Sequence, residues 1–308
     1  AYWHGLFGGL YLPHLRRAVW TNLVELEAEL DRIAPRPAAP AASDVDFDGC
    51  RELFLATAEL QAIVRDDGAA SVHEFDSYLL RYNFGDTLRR SPEHYHAKMN
   101  AHSEAAAPVH GGIASAHDRV AFKHAIEEAD FRPDDGGRGI FDDRAILNGA
   151  ARPVRDYVLL EMDAGRAAFT SATLALAKEI TTRGSALTVR YRWTGAVPAA
   201  FSCAIHLAMP SCDGYSGRYV RADGTIPGGF GQTHDDPACR SITLEDEELK
   251  GAIVLHISHP VHLSATPYFT VSQSEAGFEK IMQAARLELH WQPAPGETTE
   301  ITLRVLTR

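Results

Sequence analysis

Apolar residues fall three or four positions apart near the start of this chain, at Leu12, Leu15, Val19, Leu23, Leu26, Leu30 and Ile33. That spacing draws one stripe along an α-helix, with Arg16, Glu25, Glu29 and Arg32 toward its wetter side. Pro13 suits the first helical turn, where a missing N–H costs nothing. The helix is predicted to end near Pro35, because Pro35-Arg36-Pro37-Ala38-Ala39-Pro40-Ala41-Ala42 favours an extended, semi-rigid linker. The expected organisation is therefore 1–34 as a helical segment, 35–43 as linker and 44–308 as a second domain.

Beyond the linker the period drops to two. Leu187, Val189, Tyr191 and Trp193 alternate with Thr188, Arg190, Arg192 and Thr194. Phe201, Cys203, Ile205 and Leu207 repeat the pattern, as do Leu287, Leu289 and Trp291, then Ile301, Leu303 and Val305. Such alternation gives strands with one face in a core and one toward water. Segments 52–65, 71–80, 154–162, 172–180 and 252–258 also read as strands, punctuated by Gly- and Pro-rich breaks at 133–139, 195–198, 223–231 and 293–296. Many strands with few helical patterns between them predict a mainly β fold, a large antiparallel β-sandwich preceded by a short α-helical segment.

Composition narrows the function classes. With 45% apolar and 23% charged residues the chain is ordinary for a globular protein. A net charge of −11 and no cluster of Lys and Arg argue against nucleic acid. No apolar stretch approaches the roughly 20 residues of a membrane span. Cys50, Cys203, Cys212 and Cys239 show no Cys-x-x-Cys spacing, so a reduced, cytoplasmic protein is expected.

Candidate chemistry is scattered. Ala1-Tyr2-Trp3-His4-Gly5-Leu6-Phe7-Gly8-Gly9 gathers aromatics, a histidine and glycines, and is expected to be the surviving part of a longer motif. Trp3 offers a flat apolar face for a sugar ring, while Tyr2 and His4 offer hydrogen bonds. A buried aromatic anchor is the plainer reading. His94 and His96 would share a face in an extended segment. His256, His259 and His262 cannot converge on a strand, and His234-Asp235-Asp236 reads as a turn. These histidines are expected to be structural or superficial, with no metal and no cofactor. Asp44, Asp46 and Asp48 alternate on a strand-like segment, and Glu275 and Glu279 lie four apart. A solvated face or an Asx-type turn is the expectation for each. No Gly-x-Ser-x-Gly elbow, phosphate loop or dinucleotide fingerprint occurs, so no catalytic residue is assigned.

The opening run, continued as Leu10-Tyr11-Leu12-Pro13-His14-Leu15-Arg16-Arg17, resembles the last conserved region of glycoside hydrolase family 57, in its 4-α-glucanotransferase and α-amylase branch. Asp44-Val45-Asp46-Phe47-Asp48-Gly49, Glu93-His94-Tyr95-His96 and Thr270-Val271-Ser272-Gln273-Ser274-Glu275-Ala276-Gly277-Phe278 resemble the same enzymes' C-terminal portion, in the same order. The resemblance implies an upstream (β/α)₇ barrel carrying a Glu nucleophile and an Asp acid/base, a helical domain, and a β-sandwich of the galactose-mutarotase-like type. It implies an α-glucan or maltooligosaccharide as partner and retaining cleavage of α-1,4 links. By the same resemblance Trp3, with His4 and Tyr2 beside it, lines a glucan cleft. His94, His96 and Glu275 match recurrent family positions without an assignable role. On this reading the barrel is missing from the chain, which alone turns nothing over. Transferase and hydrolase are not separable, and a homodimer is compatible with the sequence. The alternative is a stand-alone carbohydrate-binding sandwich with Tyr191 and Trp193 exposed. A mutarotase-like epimerase would need a Glu base and a His acid in one pocket, and the sequence pairs no such residues.

Overall fold

Alternation dominates the structure as it dominates the sequence. The computed structural model describes residues 9–34, 41–96, 125–135, 139–147, 149–212, 214–274 and 277–308. Helix α1 (Pro13–Ile33) opens with proline at its first turn. The strands are β1 (Ala41–Ser43), β2 (Arg51–Ala56), β3 (Leu60–Asp66), β4 (Val72–Ser77), β5 (Tyr82–Asn83), β6 (Ile140–Leu147), β7 (Ala150–Pro153), β8 (Tyr157–Asp163), β9 (Arg166–Ser171), β10 (Leu176–Arg183), β11 (Ala186–Trp193), β12 (Ala200–Leu207), β13 (Gly217–Arg221), β14 (His234–Asp246), β15 (Gly251–Ser274), β16 (Gly277–Trp291) and β17 (Thr298–Thr307). A single-turn helix, α2 (Glu128–Phe131), lies between β5 and β6. The segment 52–65 is a hairpin of two strands, and 172–175 is a turn ahead of β10.

All named pairings are antiparallel, and β15 organises them. Its first part ladders with β17 (Ile253↔Val305, Leu255↔Leu303), which continues through β11, β10, β9 and β8. Its second part ladders with β16 (Leu263↔Leu289, Ala265↔Leu287), which continues through β12 to β6 and, by one pairing, to β4, β3, β2 and β1. One 24-residue strand thus serves two layers of a sandwich.

The core lies between those layers. The odd-numbered residues of β11 point inward, so Tyr191 and Trp193 are 0% and 1% exposed. Their rings pack on Phe201 at 5.4 and 5.2 Å, and Tyr191 lies 5.8 Å from Trp291. Each such aromatic pair adds about 0.5–1.5 kcal/mol to the burial of its area. The expectation of an exposed Tyr191–Trp193 platform for sugar is corrected: these rings hold the layers together.

The same alternation puts Lys178 on the inward side of β10, in line with Leu176 and Ile180. Its Nζ donates to Asp143 Oδ2 and to the carbonyl of Phe141, both at 2.7 Å. Asp143 also accepts from the hydroxyls of Tyr157 (2.9 Å) and Tyr191 (2.7 Å). Burial first, and the Asp143 charge second, push both phenols well above their usual range.

Helix α1 departs from its sequence reading. Arg16, placed on the wet side by the leucine stripe, is buried together with Val24, whereas Leu23, Leu26, Leu30 and Ile33 are 45–71% exposed. The reason is the polar rim it meets. Arg16 finds Asp86 there, and Glu27 accepts from Gln61 Nε2 and Tyr78 Oη at 3.2 Å each. The second half of the apolar stripe, from Leu23 to Ile33, is left facing away.

Candidate functional site

The candidate site is the seam where the start of α1 crosses the sandwich. Arg16 donates from Nε to Asp86 Oδ1 (2.9 Å), from Nη2 to Gln283 Oε1 (2.8 Å) and from Nη1 to the carbonyl of Leu10. Gln283, on β16, donates in turn to the carbonyl of Tyr11 and to Thr270 Oγ1, both at 2.9 Å. Burial pushes the Asp86 carboxyl up, and the Arg16 charge opposes that push. Two buried side chains thereby strap residues 10–16 to the β15–β16 pair. A Cβ on Gly9 would sit 3.0 Å from ring carbons of Tyr11, so the missing side chain lets the ring lie over the backbone. Tyr2, Trp3 and His4 lie outside the described residues, as does Glu275.

The second wall is the segment Gly85–His96. Residues 93–96 form a turn rather than an extended run, so His94 and His96 do not share a face. His94 is exposed and His96 is buried. The Glu93 N–H donates to His96 Nδ1 (3.3 Å), which leaves the proton on Nε2, 3.4 Å from the Val271 carbonyl. Tyr95 Oη donates to the same carbonyl at 3.1 Å. The pair clamps β15, and that is the role the geometry gives His96. Burial, then the Glu93 charge, raise the Tyr95 phenol. Arg90 ties the segment down further. It lies 4.5 Å over the Tyr268 ring and donates to the carbonyls of Phe269 (3.0 Å) and Ala129 (2.8 Å).

Between these walls is a cavity of about 370 Å³. Tyr11, Ser91, Glu93, Tyr95, Ser272 and Gln273 are among its lining residues. A second hollow of about 580 Å³ is lined by Leu12, His14, Phe269, Glu279 and Lys280, among others. Lys280 is paired with Asp130 at 2.7 Å. Sequence spacing singles out neither Arg16 nor Gln283, because their role depends on contacts 70 and 267 residues away.

The remaining candidates resolve separately. Asp44, Asp46 and Asp48 lie on a bend, not a strand, and their carboxylates come within 4.8 Å of one another. Asp44 accepts from the N–H groups of Asp48 (3.1 Å) and Gly49 (3.0 Å), and Asp48 from Cys50 (2.9 Å). Gly49 at φ 91° supplies the left-handed turn. The Cys50 N–H and the paired Arg65 hold the Asp48 carboxyl below its usual range. His234 begins β14 and is not in a turn; its partner is Ala265 of β15. His256, His259 and His262 stay apart on β15. His262 meets Asp235 at 2.7 Å and stacks on His290 at 5.5 Å, while His259 is 3.6 Å from Glu297.

The same fold is found in part of a solved enzyme. The 4-alpha-glucanotransferase of Thermococcus litoralis superposes over 98% of this chain and 44% of its own, with a TM-score of 0.70 at 20% identity. The chain belongs to the alpha-amylase/4-alpha-glucanotransferase family: the model of the family's C-terminal domain matches residues 44–153 and 150–305, and that of its middle domain matches residues 1–30. Among sequence relatives, the 4-alpha-glucanotransferase of Thermococcus kodakarensis is 38% identical over 120 residues, covering 38% of this chain and 17% of that protein. The alpha-amylase of Pyrococcus abyssi is 43% identical over 96 residues, covering 31% and 14%. The match to these two relatives thus spans about a sixth of their length. Among the described residues no helix is long and apolar enough to cross a membrane.

Proposed function

We propose that this chain is the C-terminal, non-catalytic region of an enzyme that acts on α-1,4-glucans with retention, passing the glycosyl unit to another sugar or to water. Retention needs two carboxyls roughly 5–5.5 Å apart; on this reading an upstream (β/α)₇ barrel of the same enzyme supplies them. Residues 1–34 are then the end of the middle domain and 44–308 the sandwich, with 35–43 as the connection, whose last residues, Ala41–Ser43, pair with β2. Trp3, flanked by Tyr2 and His4, forms one wall of the glucan cleft.

The observation that carries this reading is the two-faced helix. Helix α1, whose sequence matches the middle-domain model, is strapped to the sandwich through Arg16 and leaves Leu23, Leu26, Leu30 and Ile33 bare. An apolar stripe of that length is suited to packing against the rest of a helical domain. A cytoplasmic setting is supported by the four cysteines, none of them in a disulfide.

Maltoheptaose incubated with the chain alone is expected to keep its length distribution. The same chain joined to a barrel bearing a suitably placed Glu and Asp is expected to redistribute it. Turnover by the chain alone would overturn the reading.

A further inference from the structure

We propose that the 370 Å³ cavity bounded by Tyr11, Tyr95 and the β15 segment Val271–Gln273 is a binding subsite for an α-1,4-glucan chain; this rests on the α-glucan reading above. The volume lies within the roughly 300–1,000 Å³ of small-molecule sites.

The lining suits a neutral, hydroxyl-rich ligand with apolar ring faces. Tyr11 and Tyr95 bring aromatic surface, and Ser91, Ser272 and Gln273 bring uncharged donors and acceptors. Arg89, Arg90 and Glu93 line it as well; Arg90 is engaged by the carbonyls of Phe269 and Ala129, while Arg89 and Glu93 add a donor and an acceptor for hydroxyls.

The cavity is also built before any ligand arrives. Its floor is pinned at the Val271 carbonyl by Tyr95 (3.1 Å) and His96 (3.4 Å), and at Thr270 by Gln283 (2.9 Å). Arg90 holds the rim segment to Phe269 and Ala129. A preformed site loses little ordering entropy on binding. Leu10 and Tyr11, which also line it, are near neighbours of Trp3 in the sequence.

The test is calorimetric titration of the whole chain with maltoheptaose and with cellopentaose. We compare the wild type with Gln273→Ala, with the cavity-filling Ser91→Trp and with Trp3→Ala. Gln273→Ala is expected to weaken maltoheptaose about fivefold and Ser91→Trp about tenfold or more, each with an unchanged melting temperature. Trp3→Ala is expected to retain binding that the cavity variants remove. Full affinity in both cavity variants, with loss only on Trp3→Ala, overturns the subsite and leaves the glucan reading standing. Equal affinity for cellopentaose overturns both. No heat up to about 10 mM maltoheptaose, a limit set by affinity arithmetic, overturns the subsite and leaves the reading to the turnover assay.

Discussion

Lys178 Nζ lies 2.7 Å from Asp143 Oδ2, and neither side chain reaches solvent. Two tyrosine hydroxyls and a main-chain carbonyl complete the pair's hydrogen bonding. A buried pair of this kind contributes little net stability when whole and costs much when halved. Lys178→Met should therefore lose about 3–5 kcal/mol in urea unfolding, because it leaves an unpaired charge in the core. Adding Asp143→Leu should recover a large part of that loss. Equal destabilisation in the single and double variants would contradict this account.

Arg16 makes three kinds of bond from one planar group, to a carboxylate, a side-chain amide and a main-chain carbonyl. A lysine ammonium cannot reach all three at once. Arg16→Lys should behave almost as badly as Arg16→Ala, each costing about 2–3 kcal/mol where α1 meets the sandwich. Limited proteolysis between residues 9 and 33 should quicken, while strands β10 to β12 keep their protection.

Beneath α1, burial raises the Asp76 carboxyl well above its usual 3.8, and the neighbouring Glu74 and Glu27 push the same way. The native state therefore holds a proton that the unfolded chain has already released. Its contribution is present below the ordinary aspartate value and is lost as pH rises toward the native one. His73 works in the opposite sense: burial pushes it down to about 4 from 6.5, so its contribution fades as pH falls through that interval. Asp76→Asn should raise the melting temperature at pH 7 by about 2 °C or more. The gain should shrink toward pH 4. A gain that grows on acidification would reverse the assignment.

Period two made most of the core legible. Leu187 to Trp193 and Phe201 to Leu207 face inward as their alternation requires. The same rule, applied to β10, would have placed Lys178 inside. The helix was legible in extent and misread in direction, because a leucine stripe announces a buried face without naming the partner that covers it. The turn at 93–96 was misread for a local reason: Glu93 N–H and His96 Nδ1 close it, and residue type alone does not reveal that bond. The strap joins Arg16, Asp86 and Gln283 across long range, and no window of sequence contains all three.

Strand β15 passes from Gly251, beside Thr307 at the chain's end, to Gln273 on the cavity floor. Backbone amides along it are shared among β14, β16 and β17. Hydrogen exchange at Val271 and Gln273 should slow when maltoheptaose occupies the cavity, because binding stabilises the closed state of the backbone that lines it. The strand that meets Thr307 at one end therefore lines the cavity at the other.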